Sequence, residues 1–141
     1  MKAIIITNNP KVYDEFFAEG RDCPSAFTVE YLKEASQEDI LLRARALIHL
    51  GGRLIIHPMM GRIKPHETPY KSVFMEVPEE KELAGGSVST DFMSVTIIED
   101  SISETRKLLN NTFMKKYDDT VLEDLQQIDL LLIKSGIEEY R

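Results

Sequence analysis

A layered α/β domain is the fold class this sequence predicts, and three observations predict it. Over residues 1 to 57, short apolar runs alternate with segments of helical spacing in the order β-α-β-α-β. The first run is continuous rather than alternating, as a strand buried on both faces requires. The chain has 141 residues, 43% apolar and 29% charged, which suits one core and one domain over 1–141. Right-handed crossovers would set the first and third strands parallel and adjacent, giving a mainly parallel sheet with helices packed on it. The strand after the long central loop has no helical crossover before it. It is free to run antiparallel and make the sheet mixed.

Each element has its own signal. Ala3-Ile4-Ile5-Ile6 is β-branched and ends at Thr7-Asn8-Asn9-Pro10. Asn9 then Pro10 reads as a helix cap followed by proline at the first helical position, before Val12, Tyr13, Phe16 and Phe17. Gly20 closes that helix and Arg21 to Ala26 form a loop. Phe27 to Tyr31 alternates as a half-buried strand. Ser36 and Asp39 make a capping-box variant for a helix whose stripe is Ile40, Ala44, Leu47 and Ile48, ended by Gly51-Gly52. Arg53 to His57 is the third strand, and Ser72 to Val77 follows the loop as the fourth. Pro78 to Asp91 is a polar loop, and Phe92 to Ile98 reads as a further strand. Ser101 and Glu104 open a helix through Ile102, Leu108, Leu109 and Phe113, with Lys115 and Lys116 at its negative end. The last segment is read as a helix on the stripe Val121, Leu125, Ile128 and Leu132, with a strand at 128–133 as the alternative.

Composition excludes several functions. Seventeen Lys and Arg against 24 Asp and Glu give a net charge of −7, the wrong sign for nonspecific nucleic-acid binding. Cys23 is the one cysteine, so no intrachain disulfide is expected, and a lone thiol fits a reducing cytosol. The apolar run at the N-terminus is too short for a signal peptide, and no stretch suits a membrane span. The expectation is an unanchored cytoplasmic protein.

The segment His57 to Ser72, HPMMGRIKPHETPYKS, is unlike the rest. Arg53, Arg62, Lys64 and Lys71 gather positive charge here with only Glu67 opposing it. Three prolines limit its backbone freedom, and Gly61 permits positive φ or close approach. In open α/β sheets, ligands bind beyond the carboxyl ends of parallel strands. Asn8 and Asn9 would then share a rim with His57, beside free N–H groups of the helix starting at Pro10. Arg62, Lys64 and Lys71 suit a carboxylate or phosphate there. The competing reading is a stiffened, solvated connection.

Other residues point less far. Thr7-Asn8-Asn9-Pro10 matches no nucleotide fingerprint, so no cofactor is indicated. Nothing fixes His57, His66 and Glu67 on one face, so no metal site is expected. Cys23 reads as an inert thiol and His49 as part of a solvated helix face. The apolar surplus at Leu130 to Ile133 is either core or a patch that a second subunit covers in a homodimer.

The stretches KAIIITNNP and HPMMGRIKPHETPYKS, and the terminal LEDLQQIDLLLI, resemble the GrdX family. Its genes accompany the glycine reductase complex of amino-acid-fermenting anaerobes, which converts glycine to acetyl phosphate and ammonia. The resemblance spans most of the chain, and the central loop is its most specific part. It implies an accessory or regulatory protein whose partners are a small anionic metabolite or glycine reductase components. His57, Pro58, Gly61, Lys64, Pro65, Glu67, Thr68, Pro69, Tyr70 and Lys71 match the motif, and no catalytic role is carried over with them. From the residues and the resemblance together, the candidate ligand-binding set is Asn8, Asn9, His57, Arg62, Lys64, Thr68 and Lys71. The alternatives are a small enzyme using His57 or His66 as general base, and an assembly factor using the last apolar segment.

Overall fold

A computed structural model describes residues 1–17, 27–61, 63–86, 88–111 and 116–140. The expected closure at Gly20, the loop at 21–26 with Cys23, and the readings at Arg62, Phe113 and Lys115 lie outside those residues. The elements are β1 (Lys2–Thr7), α1 (Pro10–Phe17), β2 (Phe27–Tyr31), α2 (Gln37–His49), β3 (Arg53–Leu54), β4 (Ser72–Val77), α3 (Glu80–Ala84), α4 (Phe92–Asn111) and α5 (Asp119–Tyr140). A short 3₁₀ turn covers Pro65–Glu67.

The sheet is mixed, in the order β2-β1-β4-β3. β1 runs parallel to β2, while β4 is antiparallel to both β1 and β3. β1 and β3 therefore share a direction, as expected, but they are not neighbours. β4 takes the place between them because it can pair directly with both.

The two-residue side-chain period of a strand separates two apolar clusters. Ile4 and Ile6 of β1 join Val73, Met75 and Val77 of β4 against α2 and α4. Ala3 and Ile5 join Phe74 on the opposite face, against Val12 of α1 and Leu130, Ile133 and Ile137 of α5. Both faces are covered, which is why β1 and β4 read as nearly unbroken apolar runs.

Helix ends follow the local sequence. Ser36 and Asp39 form a reciprocal capping box on α2. At the other end, Gly51 N–H donates to Ile48 O and Gly52 N–H to Leu47 O, a Schellman arrangement with Gly51 at φ +103°. That φ is strained for any side chain, so glycine stops the helix here.

Further expectations are corrected. Residues 92–98 are not a strand but the first turns of α4. Asp91 starts it, accepting from Ser94 N–H and from the Ser94 hydroxyl. The same hydroxyl accepts from Leu54 N–H, tying the helix start to β3. The β-branched content suggested a strand, but the buried positions Ser94, Ile98, Ser101, Ile102 and Thr105 recur at helical spacing. The third strand is shorter than 53–57, because Ile55 and Ile56 both direct their N–H groups at Phe74 O and the ladder ends. The polar segment 78–91 is not all loop, since it holds α3. The C-terminal segment is helical, so the strand alternative at 128–133 falls.

α5 approaches β3's exit closely through Gly136. A Cβ there would lie 1.8 Å from Ile56 Cδ1 and 2.6 Å from its Cγ1. Overpacking of this kind outweighs alanine's better helix propensity. Gly136→Ala is therefore expected to lower unfolding free energy in urea by about 1–3 kcal/mol. Adding Ile56→Ala should make the loss less than additive, because the clashing group is gone.

Candidate functional site

Thr7 and Ser72 are directly opposite each other where β1 ends and β4 begins. Both hydroxyls face α5, and their oxygens are 2.6 Å apart. Ser72 donates to Asp129 Oδ2 of α5 at 2.6 Å. Asn9 Nδ2 donates to the same oxygen at 2.9 Å and to Gln126 O at 2.8 Å. Asn9 N–H in turn donates to Thr7 Oγ1. With Thr7 donating to Ser72, each proton has one acceptor and the chain of bonds ends on the carboxylate. α5 is thus docked on the sheet rim by a polar network as well as by its apolar face.

Asn8 secures the central loop. Its Nδ2 donates to Ala35 O and Pro69 O, and its Oδ1 accepts from Lys71 N–H at 2.9 Å. Gln37 Nε2 donates to Pro65 O and to Thr68 O. Lys64 N–H donates to Glu67 Oε1. The loop's far end touches α5, with Gly61 at φ +111° and Leu132 against it. A Cβ on Gly61 would come within 2.9 Å of Leu132 Cδ1, so this glycine serves both uses the sequence allowed.

Between the loop and α5 lies a cleft with a cavity volume of about 50 Å³. Ile56, Ile63, Leu125, Ile128, Leu132 and Ile133 make its walls apolar. Its polar lining is His57, Thr68, Tyr70, Lys71, Ser72 and Asp129. Lys71 Nζ donates to Pro58 O at 2.6 Å, and Pro58 also lines the cleft. No carboxylate within 4.0 Å pairs with this amine among the described residues. Burial pushes the Lys71 amine below its usual range, opposed by the charge of Asp129. Burial pushes the Asp129 carboxyl up, opposed by the bonds from Ser72 and Asn9 and by the charge of Lys71. Both residues are half-buried and line the cleft.

Thr7 to Asn9 and His57-Pro58 do meet at one rim, through the backbone and side chain of Lys71. Of the residues singled out from sequence, His57, Thr68 and Lys71 line the cleft. Asn8 and Asn9 stand behind it with their side-chain donors and acceptors committed to protein groups. Asn9 Oδ1 accepts from Lys11 N–H, so the start of α1 is capped by its own sequence. Lys64 is exposed and does not line the cleft. His57 is exposed, and its Nδ1 accepts from Met59 N–H. His66 lies outside the cleft lining, and its buried Nδ1 has no partner. Within the C-terminal apolar run, Leu130 and Ile133 are core, Leu132 lines the cleft, and Leu131 is exposed.

Sequence reading missed Asp129, Ser72, Thr7, Tyr70 and Gln37. Asp129 had a signal: it lies four residues from both Leu125 and Ile133, on the stripe that turns inward. A carboxylate there needs donors from elsewhere. Among the described residues, no group of three or more His, Cys, Asp or Glu could hold a metal ion. Among them, too, no helix is long and apolar enough to cross a membrane.

The fold and site define a small three-layer α/β protein with a lysine- and aspartate-lined cleft at the sheet's rim. Residues 4–138 match the family model described as GrdX-like protein, and the chain belongs to that family. No curated protein and no solved structure registers as a match.

Asp129→Ala leaves the Ser72 and Asn9 donors short of an acceptor and is expected to cost about 1–3 kcal/mol at low pH, where the carboxyl is protonated in both states, and less as pH rises. Asp129→Asn retains an acceptor and should cost less. The folded carboxyl's pKa is raised above the ordinary 3.8, so its contribution is full below that value and is lost as pH rises through the folded pKa. Urea unfolding across this range should show that decline in the native protein and not in Asp129→Asn.

Proposed function

We propose that this chain is an accessory or regulatory protein of the glycine reductase system that holds a small anionic metabolite in the cleft. Family membership supports the association, since GrdX genes accompany that complex. The carboxylate- or phosphate-binding reading rests on one observation above all. Lys71 brings a cation into a cleft with several apolar walls, and among the described residues no carboxylate within 4.0 Å pairs with it. A buried ammonium is unfavourable alone, and a bound anion offsets that cost. Thr68 and Tyr70 supply further hydroxyls in the lining.

Binding chemistry fits better than acid–base catalysis. His57 has its Nδ1 already engaged by Met59 N–H, and His66 is not in the lining.

Isothermal titration with acetate, phosphate and acetyl phosphate tests the site. Lys71→Met should weaken binding at least about tenfold, the loss of one charge-assisted hydrogen bond. Lys64→Ala should leave it nearly unchanged. Acetate keeps its charge above pH 6, so its affinity should fall as rising pH deprotonates Lys71. Equal binding by native protein and Lys71→Met would remove the reading. Capture of glycine reductase components by the tagged chain would test the association separately.

A further inference from the structure

Lys71 combines three properties that the binding of an anion does not use together. Its Nζ lies at a cleft wall rather than on the open surface, since both Lys71 and its acceptor Pro58 are in the lining. Among the described residues a single carbonyl acceptor engages one N–H, so the neutral amine keeps a lone pair for other chemistry. Ile56, Ile63, Ile128 and Leu132 give the same cleft apolar walls. We propose that Lys71 Nζ forms an imine with a small aldehyde or ketone that enters this cleft. The inference rests on the cleft assigned above as the binding site, but it calls on the free amine instead of the ammonium.

The steps balance without a redox partner. The Nζ lone pair adds to the carbonyl carbon, and the carbonyl π electrons move to oxygen, which takes a proton. Nitrogen gives up a proton, leaving a carbinolamine. The hydroxyl departs as water after gaining a second proton, while nitrogen's electrons form the C=N bond. Nitrogen then loses its remaining proton. Amine plus carbonyl compound gives imine plus water.

Local groups favour each step. Burial holds the amine below the ordinary lysine range, which raises the fraction able to attack. Asp129 of α5 shares the lining, and burial keeps its carboxyl protonated to higher pH than usual. It is the group placed to pass protons to and from the oxygen. His57 and Tyr70 are the other titratable side chains of the lining, from the loop side. The cavity admits a guest of only a few heavy atoms, so the class is a short-chain carbonyl compound.

Reductive trapping tests this on the intact chain. The native protein is incubated with limiting acetaldehyde and cyanoborohydride, and modified lysines are located by peptide mass mapping. Lys71 is expected to be ethylated at least about tenfold faster than exposed Lys64, with a rate that rises with pH through the depressed lysine pKa. Lys71→Met should lose the fast phase. The comparison of two lysines within the native chain stands even if that variant folds poorly. Modification of Lys71 no faster than Lys64 would overturn the proposal. Anion titrations without aldehyde separate the two readings. Selective trapping with no acetate binding would support the imine and overturn the anion reading. Acetate binding with unselective trapping would do the reverse.

Discussion

The Asp129 carboxylate, set on the inward stripe of α5, constrains everything around the cleft. Its oxygen must find donors where water is scarce, and Ser72 and Asn9 provide them. Ser72 is in place only because β4 runs antiparallel beside β1 with Thr7 opposite. Asn9 is in place only because α1 begins immediately after β1. Strand register, helix start and helix docking are thereby coupled through one acid. Hydrophobic packing alone would tolerate some sliding of α5 on the sheet. Hydrogen bonds to a single oxygen do not.

That coupling also creates the cleft. α5 is held at the rim, while the loop from His57 to Lys71 is held by Asn8 and Gln37 on its other side. Gly61 and Gly136 set how close the loop and β3's exit come to α5. Lys71 stands at the junction, with its backbone on Asn8 and its amine on Pro58. Its withdrawal from water follows from this framework.

Much of the fold was legible because local physics and tertiary packing agree. The Ala3 to Ile6 run, the Ser36 capping box and the Gly51 stop were read as strand, helix start and helix end, and the structure agrees. The convergence of Asn8-Asn9 with His57-Pro58 was legible from shared strand direction. Residues 92–98 were not, because Val95, Thr96, Ile97 and Ile98 carry β-branched side chains whose helical placement is decided by α2 and β3. The position of β4 was not fixed by any local signal either. Asn8 and Asn9 were correctly placed at the rim, but their amides are satisfied by the backbone and by Asp129. A polar side chain beside a cleft can serve its architecture as readily as its guest. The inward place of Asp129 was readable from its spacing to Leu125 and Ile133, but the donors that meet it come from a distant sheet rim and were not.

The account depends on Lys71 being an amine of altered basicity that answers to what enters the cleft. An NMR titration of its side-chain nitrogen reads this directly. The midpoint should lie below the ordinary 10.5 and move upward when acetate is added. A midpoint at 10.5 that acetate leaves unmoved would contradict it.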